Sequence, residues 1–403
     1  KRYTKLKTMA KPKLALIPSA QGSKFYSVLP SSGVGDFNFT RSGSATRINS
    51  QGLIETVGNG VSRLNYPLID GKVAGCPSHL LEPQKINQLQ RSQEFSNSYW
   101  INNGVTITEN NEISPDGTLN ADLLTGVSGG FGVVRFGTWS ATNKVASCFA
   151  KKGSTELFKI ANGSGGVGGV TFNLENGIVI TEDSGFDGSI ENYGNGWYRC
   201  TAIDTLARSG TFSLGVTAAS ESVYLWGAQL ESDYLTSYIP STSSAVTRSA
   251  ETANGAGDAS TFNSLEGVLY VETSALSNDL SERRFGLSDG TSSNVIRVGY
   301  TSVSNRIIAV VYNGSNQAVM TYTSPDITQN SKIAVKYKGN DFALWVDGVK
   351  RSTDTSGSVF SANTLNSLDF NIGGGSHFYS ETKDVRVYNT ALTDQELQAL
   401  TTI

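Results

Sequence analysis

Ile333-Ala334-Val335-Lys336-Tyr337 and Phe342-Ala343-Leu344-Trp345-Val346 are two apolar-rich runs joined through Lys338-Gly339-Asn340, and Asp347-Gly348 follows at once. Branched and aromatic residues of this kind suit a pleated, half-buried surface. Runs of five are strand length and too short for a helix. Gly-Asn and Asp-Gly pairs supply the positive φ of tight hairpin turns. The stretch therefore predicts three consecutive antiparallel strands and an all-β fold.

The same texture extends in both directions. Gly267-Val268-Leu269-Tyr270-Val271-Glu272, Val295-Ile296-Arg297-Val298, Ile307-Ile308-Ala309-Val310-Val311-Tyr312 and Ala318-Val319-Met320-Thr321-Tyr322 precede it. Downstream, Thr393 with Glu396 three residues on is a capping box ahead of Leu397 and Leu400. It predicts one short C-terminal helix packed on the sheets. Residues 262–403 are thus read as one antiparallel sandwich. Residues 95–248 carry a second series at about ten-residue spacing, the mark of a sandwich. Val145-Ala146-Ser147-Cys148-Phe149-Ala150, Trp197-Tyr198-Arg199-Cys200-Thr201-Ala202 and Val223-Tyr224-Leu225-Trp226-Gly227 belong to it. Trp197, Trp226 and Trp345 lie inside alternating runs and are expected in the core. Residues 249–261 read as a linker, residues 84–96 as an extended linker or short helix, and residues 36–94 as a small β-rich connector. Residues 1–35 show no sustained periodicity and read as an extended arm that orders only against a partner.

Composition narrows the function classes. With 17 Phe, 16 Tyr and 5 Trp the chain is not disordered, and its 43 Gly keep no collagen period. No apolar run approaches the roughly 18 residues of a membrane helix, and Leu14-Ala15-Leu16-Ile17, cut by Pro18, is no signal-peptide core. Only His79 and His377 could serve a histidine metal site or proton relay. Cys76, Cys148 and Cys200 lack zinc spacing. They are read as free thiols of a protein made in a reducing cytosol, with a Cys148–Cys200 bridge as the alternative. Net charge is −3, unevenly spread. Of 32 basic residues, Lys1, Arg2, Lys5, Lys7, Lys11, Lys13 and Lys24 precede the first acid, Asp36; the other 25 face 35 acids, so the body carries −10. A basic arm on an acidic body reads as an attachment segment. Its charge density is too low to argue for nucleic acid.

Asp36-Phe37-Asn38-Phe39-Thr40-Arg41, Ser44-Ala45-Thr46-Arg47-Ile48-Asn49 and Gly52-Leu53-Ile54-Glu55 resemble the entry region of bacteriophage virion proteins, and Pro77-Ser78-His79-Leu80-Leu81-Glu82-Pro83-Gln84 resembles a segment of tail-fibre-like proteins. Phe95-Ser96-Asn97, Trp100, Ser114-Pro115-Asp116-Gly117-Thr118, Asn195-Gly196-Trp197-Tyr198-Arg199 and Leu225-Trp226-Gly227-Ala228-Gln229-Leu230-Glu231 resemble a carbohydrate-binding-module-like jelly roll. Ala334-Val335-Lys336-Tyr337-Lys338-Gly339, Leu344-Trp345-Val346-Asp347-Gly348 and the run from Asp384 to Thr393 resemble a laminin-G or concanavalin-like sandwich. These resemblances cover nearly all of the chain beyond residue 35. They imply two antiparallel β-sandwich (jelly-roll) domains behind an N-terminal arm. They also imply a tail- or head-fibre appendage exposed on the virion, whose partners are other virion proteins, its own copies (a trimer favoured, although no coiled-coil heptads are present) and host-surface glycans.

Sugar rings present C–H faces that stack on aromatic side chains while amides and carboxylates take the hydroxyls. Trp139, after Gly137-Thr138, and Tyr193, beside Gly194-Asn195-Gly196, are expected to be exposed glycan contacts. His377 and Tyr379 follow Gly373-Gly374-Gly375-Ser376, where backbone can approach a ligand closely. Glycoside hydrolysis needs two carboxylates flanking one sugar. The pairs Asp279/Glu282 and Asp394/Glu396 sit in loop or capping contexts, so no enzyme is expected. No cofactor is expected. Structural calcium, common in jelly rolls, leaves Asp116, Asp122 and Glu231 as scattered candidates without a loop motif, and no metal is predicted.

Overall fold

A computed structural model describes residues 10–127, 132–139, 144–162, 168–206 and 208–403, with 134–139 by backbone alone. Among these residues every strand ladder is antiparallel, and one helix is present, Asp394–Thr401. The meander forms as read. Ser331–Lys338 pairs with Phe342–Val346 and this with Val349–Asp354, the second turn holding Asp347 and Gly348 at φ 53° and 75°. Phe342–Val346 is buried throughout because both of its faces are covered. Phe342, Leu344 and Val346 join the sandwich core; Ala343 and Trp345 face outward and are closed over by Leu397 and Leu400 of the helix. The capping box is made: Thr393 Oγ1 accepts from the Glu396 N–H, and the Glu396 carboxylate accepts from the Thr393 N–H.

This sandwich is assembled from both ends of the chain. Its eight-stranded sheet runs Val349–Asp354, Phe342–Val346, Ser331–Lys338, Glu266–Ala275, Ser380–Tyr388, Ser78–Leu81, Leu64–Asn65, and Leu14–Leu16 also pairs with Ser380–Tyr388. A five-stranded sheet containing Arg283–Ser288 and Arg306–Asn313 faces it. The reading of residues 1–35 as a detached arm is therefore corrected for the residues described. Leu14, Leu16 and Phe25 are buried in the common core, with Leu14 opposite Val387. Burying two leucines contributes about 3–6 kcal/mol, enough to dock so short a strand. Lys11 and Lys13 are exposed beside it, whereas Lys1, Arg2, Lys5 and Lys7 lie outside the described residues. The connector is likewise part of the sandwich, since Phe37, Phe39 and Leu81 share its core. Residues 249–261 are not a linker: Thr252–Asn254 pairs with Phe37–Thr40, and Ala253 and Ala256 are buried. Within 84–96, Lys85–Asn87 is a strand paired with Val246–Arg248.

Between these segments sits the second sandwich, two six-stranded sheets. One contains Gly132–Trp139, Gly210–Gly215 and Leu157–Asn162; the other contains Ser222–Ser232, Lys144–Lys152, Trp197–Asp204 and Phe186–Gly194. Trp197, Trp226 and Trp345 are all buried, as expected. Cys148 and Cys200 stand directly opposite one another on adjacent strands. Both are nevertheless free, as is Cys76, so the bridge is absent. Burial pushes both core thiols well up, away from the reactive thiolate.

A buried ion cluster fastens the two bodies. Glu251 takes Arg41 at 2.8 Å and Arg63 through both carboxylate oxygens; Glu82 takes Arg63 at 2.7 Å and Arg248 at 2.8 Å. The Ser237 N–H and hydroxyl, at the exit of the second sandwich, donate to Glu82 at 2.8 and 2.6 Å. Burial opposes the charge on Glu82, but Arg248 and Arg63 outweigh it and hold the carboxyl down at about 2.

Candidate functional site

At this seam three stretches of chain converge on an open cleft of about 520 Å³. Lys85 comes from Lys85–Asn87, Tyr234 follows Ser222–Ser232, and the far wall carries Asp279, Arg283, His377 and Tyr379 from the C-terminal sandwich. Arg283 is the hub. It pairs with Asp279 at 2.5 Å, donates to the Tyr234 hydroxyl at 3.3 Å, and lies 5.8 Å and 5.7 Å from the Tyr234 and Tyr379 ring centroids. Burial disfavours its charge, but Tyr234 and Asp279 more than offset this and raise its pKa. Lys85 Nζ sits 4.0 Å over the Tyr234 ring, a cation–π contact that fixes the ring from the connector side.

His377 and Tyr379 are brought together, their rings stacked with centroids 5.6 Å apart. A bridge between Arg284 and His377 ties this loop to the neighbouring strand. Burial lowers the His377 pKa, so the neutral imidazole can both donate and accept. The cleft thus offers aromatic rings held by cations, with a carboxylate and amides at hand.

Tyr193 is not the exposed contact expected of it. It is half-buried, packs edge-on to Phe149 at 4.9 Å, and lines a different cleft; burial, then Glu191, pushes its hydroxyl up to about 12. Trp139 ends its strand opposite Gly210, and its side chain lies outside the described residues. The calcium candidates do not converge. Asp116 accepts from Ser114, Thr118 and Asn120, Asp122 from the Phe95 and Asn110 N–H groups, and Glu231 from Thr236 and Gln229. Among the described residues no cluster of His, Cys, Asp or Glu suits a metal ion, and no helix is long and apolar enough to cross a membrane. Lys85, Tyr234 and Arg283 were invisible as site residues in the sequence, because nothing local links three segments so far apart. Asp279 stood out only as an acid in a loop.

Residues 271–398 match the laminin-G family described as the Concanavalin A-like lectin/glucanases superfamily. No curated protein sequence matches the chain. Among solved structures, the chain is similar to the CBM40 of the Ruminococcus gnavus IT-sialidase, bound to alpha2,3-sialyllactose (15% identity, 34% of this chain and 83% of that one, TM-score 0.29). It is also similar to domains LG4-5 of the mouse laminin alpha1 chain (10% identity, 66% and 88%, TM-score 0.25). A third is a putative carbohydrate binding protein from Bacteroides ovatus (11% identity, 79% and 85%, TM-score 0.27). The family match falls within the C-terminal sandwich, which it marks as concanavalin-like and laminin-G-like.

Proposed function

We propose that this chain is a structural and adhesive component of a bacteriophage particle, a tail- or head-fibre appendage that holds host or environmental glycans in the seam cleft. The observation that carries the glycan reading is the gathering of Tyr234, His377 and Tyr379 around Arg283 and Asp279 in one concave site. Such sites combine stacking surface with a few fixed polar groups. The lectin superfamily matched by residues 271–398 supports it. The particle role rests on the phage-like residues 36–55 and 77–84. Because Leu14, Leu16 and Phe25 belong to the sandwich core, docking would fall to Lys1, Arg2, Lys5, Lys7, Lys11 and Lys13 ahead of them. An oligomer, a trimer favoured, would make weak single sites useful, since each further contact becomes intramolecular. Asp279 and Glu282 are tied to Arg283 and Arg284, which suits a binder better than a hydrolase.

The full chain is tested on a glycan array at high surface density. Binding that falls at least tenfold in Tyr379→Ala and in Tyr234→Ala, with both variants folded, is the expected result. A clean negative across the array would overturn the glycan reading. Depolymerisation of host polysaccharide, lost in Asp279→Asn, would replace the binder by an enzyme. Normal incorporation into particles of a chain lacking residues 1–13 would remove the proposed anchor.

A further inference from the structure

A second, larger cleft of about 840 Å³ lies between the outer face of the middle sandwich and the N-terminal segments. The strands Lys144–Lys152, Trp197–Asp204 and Phe186–Gly194 form one wall, on which Phe149, Arg199 and Glu191 stand side by side in register. Asn65, Tyr66 and Glu381 face them.

Arg199 is the anomaly of this cleft. Five arginines are buried among the described residues, and four of them, Arg41, Arg63, Arg248 and Arg283, are paired with carboxylates. Arg199 is 5% exposed, yet among the described residues no carboxylate pairs with it. Its Nε has no acceptor, and one Nη reaches Ser147 Oγ only at 3.4 Å. Arg199 acts on the Tyr193 hydroxyl, whose pKa it lowers against the larger effect of burial, and the Phe149 ring centroid lies 5.3 Å from the guanidinium. The acids facing it do not neutralise it. Glu191, its cross-strand partner, is exposed and makes no ion pair with it. Glu381 is held by Asn65 Nδ2 at 2.8 Å, and burial favours its uncharged form.

A guanidinium withdrawn from water without a counter-charge costs several kcal/mol. Arg199 lies among the residues that line this cleft. A carboxylate matches the guanidinium fork with two parallel hydrogen bonds, as a tetrahedral oxyanion also can, whereas a lone hydroxyl cannot; preference over sulfate must come from the sugar ring. Tyr66 and Tyr193 line the same cleft and offer ring surface suited to a sugar.

We infer that this cleft is a second binding site, for a carboxylate-bearing sugar of the uronic acid class, with Arg199 as the residue that receives the carboxylate. The site is separate from the seam cleft and stands or falls independently of it. The test titrates the full chain with D-glucuronate, D-glucose and inorganic sulfate by ligand-observed NMR, in the wild type, Arg199→Met, Tyr193→Phe and Tyr379→Ala. D-Glucuronate is expected to bind at least tenfold more tightly than glucose or sulfate. The preference should vanish in Arg199→Met, weaken in Tyr193→Phe and persist in Tyr379→Ala. The melting temperature of Arg199→Met supplies a readout free of ligand. It stays level or rises if the arginine is an uncompensated charge kept for binding, and a fall of several degrees would make it a structural residue and overturn the proposal. Sulfate binding as tightly as glucuronate, glucuronate binding that survives in Arg199→Met, or no binding of glucuronate to the wild type would each overturn it as well.

Discussion

Glu251→Gln is the sharpest probe of how the two bodies are joined. The substitution keeps shape and removes one charge from a site where Arg41, Arg63 and Glu251 side chains are all fully buried. The amide can accept from only one side, so whichever way it turns Arg63 loses one of its two bonds to residue 251, together with either the Arg41 bond or the 2.9 Å bond from the Glu82 N–H. Breaking a buried pair by removing one partner costs about 3–5 kcal/mol. For a unit of roughly 240 residues that corresponds to a drop in melting temperature of about 6–10 °C. The control is Glu94→Gln, the same edit at the exposed Arg91–Glu94 pair, where the loss should stay under about 1 kcal/mol. Scanning calorimetry of the three proteins at pH 7 reads both. If Glu251→Gln melts no lower than Glu94→Gln, the cluster is not the desolvated clamp its geometry describes.

Acid should loosen the fold through His79, which is buried and stacked on Phe25 at 4.0 Å. Burial lowers its pKa to about 3. The unfolded chain takes up a proton near pH 6.5 that the folded one refuses until about 3, so stability falls on acidification across that window, by about 2 kcal/mol between pH 6.5 and 5. Urea midpoints of the wild type should show this slope, and His79→Phe should flatten it; equal slopes would count against a neutral buried histidine. Glu82 adds a second, lower window, its contribution being complete above pH 4.5 and lost toward pH 2. Leu14→Ala should cost about 2–5 kcal/mol by opening a cavity beside Val387, measured by guanidinium unfolding; a loss below 0.5 kcal/mol (the range of ordinary surface changes) would return the segment to the status of an arm. Thr393→Ala removes the helix cap and should cost about 1 kcal/mol, seen as faster amide exchange in Asp394–Thr401 alone.

The parts of the fold that were legible in the sequence share one property: their signal is local. The hairpin at Gly339-Asn340, the Asp347-Gly348 turn and the Thr393/Glu396 box each sit within a few residues, so turn and capping chemistry reveal them. The core tryptophans follow from alternation in the same way. Leu14-Ala15-Leu16 was misread because three apolar residues carry no period, and the strand that gives them meaning lies at Val385 to Val387. The Arg and Glu residues of the clamp look like ordinary solvated charges until the fold buries them. His377 and Tyr379 were singled out through a glycine-rich loop, whereas Tyr234, Lys85 and Arg283 have only spatial proximity to recommend them. Tyr193 was expected in the open because glycines flank it, but strand pairing turns its ring onto Phe149.

The path of the chain through the seam has one more consequence. Lys85–Asn87 leads into the middle sandwich and Val246–Arg248 leads out, and the two run side by side as partners. Entrance and exit therefore share a single doorway, and the sandwich between them is a cassette. A foreign domain with closely spaced ends could be spliced in at that doorway while both halves of the remaining frame still meet. The architecture lets one whole sandwich be exchanged while the fold of the frame that carries it is left untouched.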